Sequence, residues 1–207
     1  MPIVPALGEH PPEPALDAAE KALRDGEPVV IPTDTVYGVT VDPFESGATD
    51  RLFALKRRSR DVPLAVLVAD VSQALRLTGK VSAEVERIME RCWPGAVTLV
   101  VPRKPGIDVD LGASVETVGI RCPNHPVPLA LTRRIGPLAT TSANAHGEAT
   151  PPTPAAIAEA LGDDLLVLDA GPIAGIPSTV LDLTGVEMKV LREGAVALDV
   201  IRQAARP

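Results

Sequence analysis

Residues 29–58 read VVIPTDTVYGVTVDPFESGATDRLFALKRR, and the fold class turns on them. The β-branched run Val29, Val30, Ile31 stops at Pro32 and predicts a buried strand. VYGVTV (36–41) is a second apolar run, and Thr33, Asp34, Thr35 and Tyr37 fall before its Gly38. A helix-like segment through Leu52, Phe53 and Leu55 follows, with Ser46 or Thr49 as its cap, and it ends on Lys56, Arg57 and Arg58. Hydroxyls and a carboxylate between two strands, with cations at the end of the next helix, outline a small-molecule site for an anionic ligand.

Working outward, Leu16, Ala19 and Leu23 fall near a helical period within Ala15 to Asp25, and Gly26 sits where such a helix ends. Residues 1–14 are Pro-rich and predict an extended arm ahead of one domain over 15–207. LAVLVA (64–69) reads as a buried strand, followed by helices near 71–78 and 82–92, the second opened by Ser82. Trp93-Pro94-Gly95 stops it, AVTLVV (96–101) is another strand, and the Gly- and Pro-containing stretch 102–114 predicts a mobile loop. ETVGIR (116–121) and LATTS (138–142) are strand-like, flanking a short helix over 126–134. Thr153 and Pro154 open a helix that Gly162 closes. Strands at 165–170, 178–183 and 188–193 and a terminal helix over 197–205 complete an α/β reading with a mixed, largely covered sheet.

Composition narrows the function classes. An apolar share of 45% beside 23% charged residues is that of a globular protein, and no apolar run nears the roughly 18 residues of a membrane span. The N-terminus has no basic segment followed by an apolar one, so the expectation is a cytoplasmic protein. Cys92 and Cys122 are isolated thiols, and His10, His125 and His146 lie far apart, so neither a disulfide framework nor a zinc site is expected. A formal charge of −7 argues against a general nucleic-acid binder while leaving room for a local basic patch. The sequence has no Gly-x-x-x-x-Gly-Lys-Ser/Thr loop, no Gly-x-Gly-x-x-Gly fingerprint and no Gly-x-Ser-x-Gly elbow.

The cations and hydroxyls remain. Inside a helix Lys56 and Arg58 would diverge by about 200°, but residues i and i+2 share a side in extended backbone just past a helix end. They then face one anion, or they are a solvated basic helix end complementing the macrodipole. Ser142 and Asn144, at the end of a strand, either donate to one ligand or close a turn. Arg121, at a strand end among apolar residues, requires an anion that is either a ligand or a structural Asp, and Arg192 has the same two readings. Ser178 is a ligand donor or turn chemistry. Asp34, Asp169 and Asp182 are the acidic groups available to a metal, and no spacing singles them out.

The segments PTDTVYG (32–38), Lys56-Arg57-Arg58, WPGAVTLV (93–100), VGIRCPNHP (118–126), TSAN (141–144), STVLD (178–182) and LREG (191–194) occur in this order. Together they resemble the YrdC/TsaC family, over about residues 15 to 200, in its single-domain form. The resemblance implies a twisted mixed open sheet with flanking helices and a concave basic face. It implies a nucleotidyltransferase that condenses L-threonine, bicarbonate or CO2 and ATP into threonylcarbamoyl-AMP, releasing pyrophosphate. A partner transferase would then carry the threonylcarbamoyl group to tRNA.

By motif, Lys56 and Arg58 are the catalytic pair, while Thr35, Arg121, Ser142 and Ser178 fall on the threonine site. Arg58, Thr117, Asn144, Thr150 and Arg192 fall on the ATP site. Mg2+ is implied with ATP as substrate, with no protein-bound metal or organic cofactor. Two departures stand out: Leu67 lies near the place of a threonine-contacting His of longer relatives, and Ser59 follows Arg58 where many relatives have Pro. Two alternatives accompany this reading: a paralogue with other carbamoyl or nucleotide chemistry, and a non-enzymatic module for double-stranded RNA or tRNA.

Overall fold

The computed structural model describes residues 2–145, 147–162 and 164–207, so His146 lies outside the described residues. The first half runs β1 (Ile3–Pro5), α1 (Glu13–Arg24), β2 (Val29–Ile31), β3 (Gly38–Val41), α2 (Ala48–Lys56), β4 (Ala65–Leu67), α3 (Val71–Leu77) and α4 (Ala83–Cys92). The second half runs β5 (Val97–Pro102), β6 (Thr117–Arg121), α5 (Pro126–Arg134), β7 (Leu138–Ser142), α6 (Pro154–Leu161), β8 (Leu166–Asp169), β9 (Thr179–Asp182), β10 (Lys189–Arg192) and α7 (Leu198–Ala205). No described helix is long and apolar enough to cross a membrane.

The ten strands among the described residues join one mixed sheet in the order β1-β8-β2-β3-β7-β4-β6-β5-β9-β10. β2 and β3, the two strands that the opening stretch predicts, pair antiparallel, with Val29 opposite Thr40 and Ile31 opposite Gly38. Strand alternation sends Val30, Val39, Val66, Leu99, Val118 and Ile120 to one face, where α2, α3, α4, α6 and α7 bury them. On the other face Val29, Ile31, Leu67, Leu138 and Leu168 pack beneath α1 and α5. That second cover stops short. Ala65 faces both Gly119 and Thr140 in register, and Val100 faces Gly119. These four residues and Thr117 are half-buried, and their small side chains leave an open strip across β7, β4, β6 and β5.

Three expectations change. Within the Pro-rich arm, Ile3–Pro5 is an edge strand parallel to β8, fixed by Ala6 N donating to the Asp169 carbonyl at 2.7 Å. A three-residue strand takes its stability from its partner, so its own sequence carries little signal. The segment 102–114 is tied down rather than loose: Val109 and Leu111 are in the core. Arg103 Nη2 donates to the carbonyls of Ile107 at 2.5 Å and Val109 at 2.7 Å, and Leu64 N donates to the Leu111 carbonyl at 2.8 Å. Finally, neither Ser46 nor Thr49 caps α2, whose N-cap is Gly47 with φ 74°. Ser82 and Thr153 do cap α4 and α6, accepting from Val85 N and Ala156 N.

Candidate active site

At one end of the open strip, helix α2 delivers its basic terminus to the end of β7. The helix closes with Arg57 N donating to the Ala54 carbonyl and Arg58 N to the Phe53 carbonyl, both at 3.1 Å, around a left-handed Arg57 with φ 45°. The predicted extended exit is therefore a left-handed reversal, and it still turns Lys56 and Arg58 to one place. Lys56 is buried, and its ammonium donates to the Ser142 carbonyl at 2.7 Å, to Asn144 Oδ1 at 3.3 Å and to the Asn144 carbonyl. All three acceptors are neutral. Burial, reinforced by the Arg58 charge, pushes the Lys56 amine down from 10.5 to about 8. The Ser142 hydroxyl donates to Asn144 Oδ1, and Asn144 Nδ2 donates to the carbonyls of Ala145 at 2.7 Å and Glu148 at 2.8 Å. Arg58 is half-buried: Nε donates to the Val62 carbonyl at 2.9 Å, and Nη1 reaches Thr141 Oγ1 at 3.4 Å.

The loop between β2 and β3 forms a second cluster. Thr33 closes it as a hydroxyl turn, donating to the Val36 carbonyl at 2.6 Å and accepting from Thr35 N at 3.1 Å. Tyr37, fully buried, anchors it by donating to the Gly171 carbonyl at 2.7 Å. Ala143 N donates to the Tyr37 carbonyl at 2.8 Å, which sets this loop beside the Ser142–Asn144 turn. Arg121 ends β6 under the loop. Its Nε donates to the Gly95 carbonyl at 3.0 Å, Nη1 to Thr35 Oγ1 at 2.9 Å and Nη2 to Asp34 Oδ1 at 2.6 Å. The anion that Arg121 requires is thus supplied within the chain by Asp34. Gly175 presses on the same loop: a Cβ there would stand 2.1 Å from the Thr35 carbonyl oxygen.

Ser178 and Arg192 pair from β9 and β10. Arg192 donates from Nε to the Ser178 carbonyl and from Nη2 to Ser178 Oγ, each at 3.0 Å. The Ser178 hydroxyl also shares a 2.8 Å hydrogen bond with buried Thr98 of β5. Arg192 lies close enough to Arg121 for its charge to disfavour that of Arg121.

The structure therefore joins Thr35 to Arg121, Ser178 to Arg192, Lys56 to Ser142 and Asn144, and Arg58 to Thr141. Thr117 shares the Arg121 face of β6, and its hydroxyl pairs with Ser114. Thr150 sits half-buried ahead of α6. No described hydrogen bond ties either one to the other candidates. Leu67 is buried opposite both Arg121 and Leu138.

Sequence reading allowed a structural Asp for Arg121 without singling out Asp34, and it missed the role of Thr98, whose signal was a lone hydroxyl inside an apolar strand. Asp169 and Asp182 close their own turns, on Gly171 N and Thr184 N, and no described group of three His, Cys, Asp or Glu is placed to hold a metal. Cys122 is buried, and burial pushes its thiol up to about 11, which makes it a poor thiolate nucleophile near neutral pH.

Four fixed cations beside hydroxyls and backbone groups can position and neutralise two anions on one open strip without a covalent nucleophile.

The Sua5/YciO/YrdC family model, which carries the description "Telomere recombination", matches residues 21–194. A Bacillus subtilis threonylcarbamoyl-AMP synthase is 37% identical over 94% of this chain and 58% of its own length. A Mycobacterium tuberculosis protein, provisionally described as carrying the same activity, is 40% identical over 90% of this chain and 87% of its own. The crystal structure of Pyrococcus abyssi Sua5 complexed with L-threonine superposes with a TM-score of 0.92 at 30% identity, covering 99% of this chain. This chain spans 61% of that archaeal protein's length. Escherichia coli YciO, at 23% identity and a TM-score of 0.85 over 97% of this chain, shares the fold.

Proposed function

The chain belongs to the Sua5/YciO/YrdC family, and we propose that within it the chain is an L-threonylcarbamoyladenylate synthase. The observation that carries this reading is two cationic clusters at one open strip: Arg121 with Thr35, Ser178 and Arg192, and Arg58 with Lys56, Ser142 and Asn144. The first cluster suits an amino acid, its carboxylate meeting the remaining Arg121 N–H groups and the hydroxyls of Thr35 and Ser178. The second suits a triphosphate, with Arg192 reaching it from the first cluster and Ser142 left to the amino acid.

The threonine ammonium first loses a proton to solvent, and the free amine attacks CO2, formed from bicarbonate with loss of hydroxide, to give a carbamate and a second proton. A carbamate oxygen then attacks the α-phosphorus of ATP; the bond to the bridging oxygen of the β-phosphate breaks, and pyrophosphate leaves. Arg58 neutralises charge on the α-phosphate as that bond changes, and Arg192 and Asn144 orient the nucleotide, with Thr117 and Thr150 at its margin. Lys56 spends its N–H groups on Ser142 and Asn144, so it works by holding that turn in place and by its charge. ATP enters as its Mg2+ complex, the ion riding on the phosphates and adding to their neutralisation.

The enzyme is taken to work in the cytoplasm, ahead of a transferase that passes the threonylcarbamoyl group to tRNA. The test is incorporation of labelled bicarbonate into an AMP-containing product whose mass equals threonylcarbamoyl-AMP. Label appearing only when both L-threonine and ATP are supplied supports the reading. Label that appears without threonine overturns it.

A further inference from the structure

Asp34 enters none of the steps above except as the partner of Arg121, and its geometry leaves it more to do. One carboxylate oxygen, Oδ1, receives Arg121 Nη2 at 2.6 Å, and no described hydrogen bond engages the other. The Asp34 side chain keeps 16% of its surface exposed, whereas that of Arg121 keeps 7%. The carboxylate thus reaches the open side of a pair that is otherwise buried. The charged groups around it are few. Arg121 is in contact, Arg192 acts on Arg121 from β10, and His125 of the α5 N-cap is held towards its neutral form by burial. Without Asp34 the cluster would present two guanidiniums and, among the described hydrogen bonds and ion pairs, no acidic group.

An α-amino acid brings an ammonium one carbon from its carboxylate. If the carboxylate seats on Arg121 and the hydroxyls of Thr35 and Ser178, the ammonium must lie among guanidiniums, which repel it in proportion to how dry the site is. The unengaged oxygen of Asp34 is the acidic acceptor the chain offers there. We propose that Asp34 accepts a hydrogen bond from the substrate α-ammonium, making this a site for zwitterions that discriminates an amino acid from the matching hydroxy acid. Asp34 then has two faces, one turned to Arg121 and one to substrate. The inference rests on the amino-acid reading of this cluster given under Proposed function.

The test is calorimetric binding of two ligands to the full chain. One is L-threonine; the other is 2,3-dihydroxybutyrate of the same configuration, which replaces the ammonium with a hydroxyl and keeps all else. The wild-type protein is expected to prefer threonine by about 10- to 100-fold, the range of a charge-assisted hydrogen bond. Asp34→Asn keeps an acceptor for Arg121 but lacks the charge, and it should remove most of that preference by weakening threonine alone. A carboxylate that only orients Arg121 would, on substitution, weaken both ligands equally, and that result overturns the proposal. Equal affinity of the wild type for the two ligands also overturns it, and that comparison does not depend on the variant folding. A wild type that binds neither ligand contradicts the synthase reading itself, whereas threonine binding unaltered in Asp34→Asn contradicts only the role of Asp34.

Discussion

The Lys56 ammonium and the Ser142 carbonyl oxygen stand 2.7 Å apart, joining the last turn of α2 to the last residue of β7 across 86 positions of sequence. With the Asn144 acceptors added, one buried cation organises the turn that carries both polar groups of the Ser-x-Asn pair. Lys56→Met keeps the aliphatic stem and removes the donors, leaving the buried Asn144 acceptors and the partly buried Ser142 carbonyl without this partner, at a cost of about 1–3 kcal/mol. Thermal melts should show that loss, and turnover should fall by about 100-fold, the scale of removing a group that orders transition-state contacts. A variant that melts normally and turns over normally would show that the turn holds itself.

The pH dependence of Lys56 has a definite sign. Its amine titrates near 8 in the folded chain and near 10.5 when unperturbed. Between those values the unfolded chain binds more protons at this group, so its contribution to stability grows as pH rises from about 8 to about 10.5. Activity is expected to move the opposite way, because the charged ammonium is the form that holds three acceptors and, in the proposed reaction, lends its charge to the triphosphate. The profile of kcat/KM for ATP should lose activity with a midpoint near 8. In the profile of kcat the midpoint should move upward, since bound triphosphate favours the cation. A flat kcat/KM profile up to pH 10 would contradict this.

Gly175 packs against the loop between β2 and β3 so closely that an added Cβ would stand 2.1 Å from the Thr35 carbonyl oxygen. Gly175→Ala should therefore displace Thr35 and with it the partner of Arg121 Nη1. Steady-state kinetics should show KM for L-threonine rising by tenfold or more while KM for ATP changes little, alongside a stability loss of about 1–3 kcal/mol. Equal increases in both KM values would mean that the two clusters do not bind separate substrates.

Arg57 takes the left-handed conformation at the end of α2, with φ 45°, and its side chain is exposed. Arg57→Gly relieves that strain, and glycine's greater freedom in the unfolded chain offsets part of the gain, leaving a stabilisation of up to about 1 kcal/mol. Chemical denaturation should show the midpoint moving up with its slope unchanged. A midpoint that moves down would mean that the exposed Arg57 side chain makes a stabilising contact in solution.

The layers of the fold were legible because their residues repeat locally: Val29–Ile31, Val97–Pro102 and Leu138–Ser142 are strands by composition, and Ser82, Thr153 and Gly162 punctuate helices by known chemistry. What escaped depends on distant partners. β1 exists because β8 lies beside it, and Val109 and Leu111 anchor a segment rich in turn residues because the core leaves them a place. In the site, the candidate cations and hydroxyls were legible from ordered motifs. Their pairings were not, since Asp34 meets Arg121 across 87 positions and Thr98 meets Ser178 across 80. The exit from α2 shows the same limit, because extended and left-handed backbones after Lys56 both bring Arg58 to its side, and sequence does not choose between them.

The central claim is that the two clusters join an amino acid to a nucleotide, and pyrophosphate release tests it most directly. Release from ATP would be followed with L-threonine and bicarbonate each present or withheld, for the wild type and for Arg58→Ala. The account predicts release only when both are supplied, and a fall of about 100-fold or more in the variant. Release that ignores threonine, or that survives the loss of Arg58 undiminished, would contradict it.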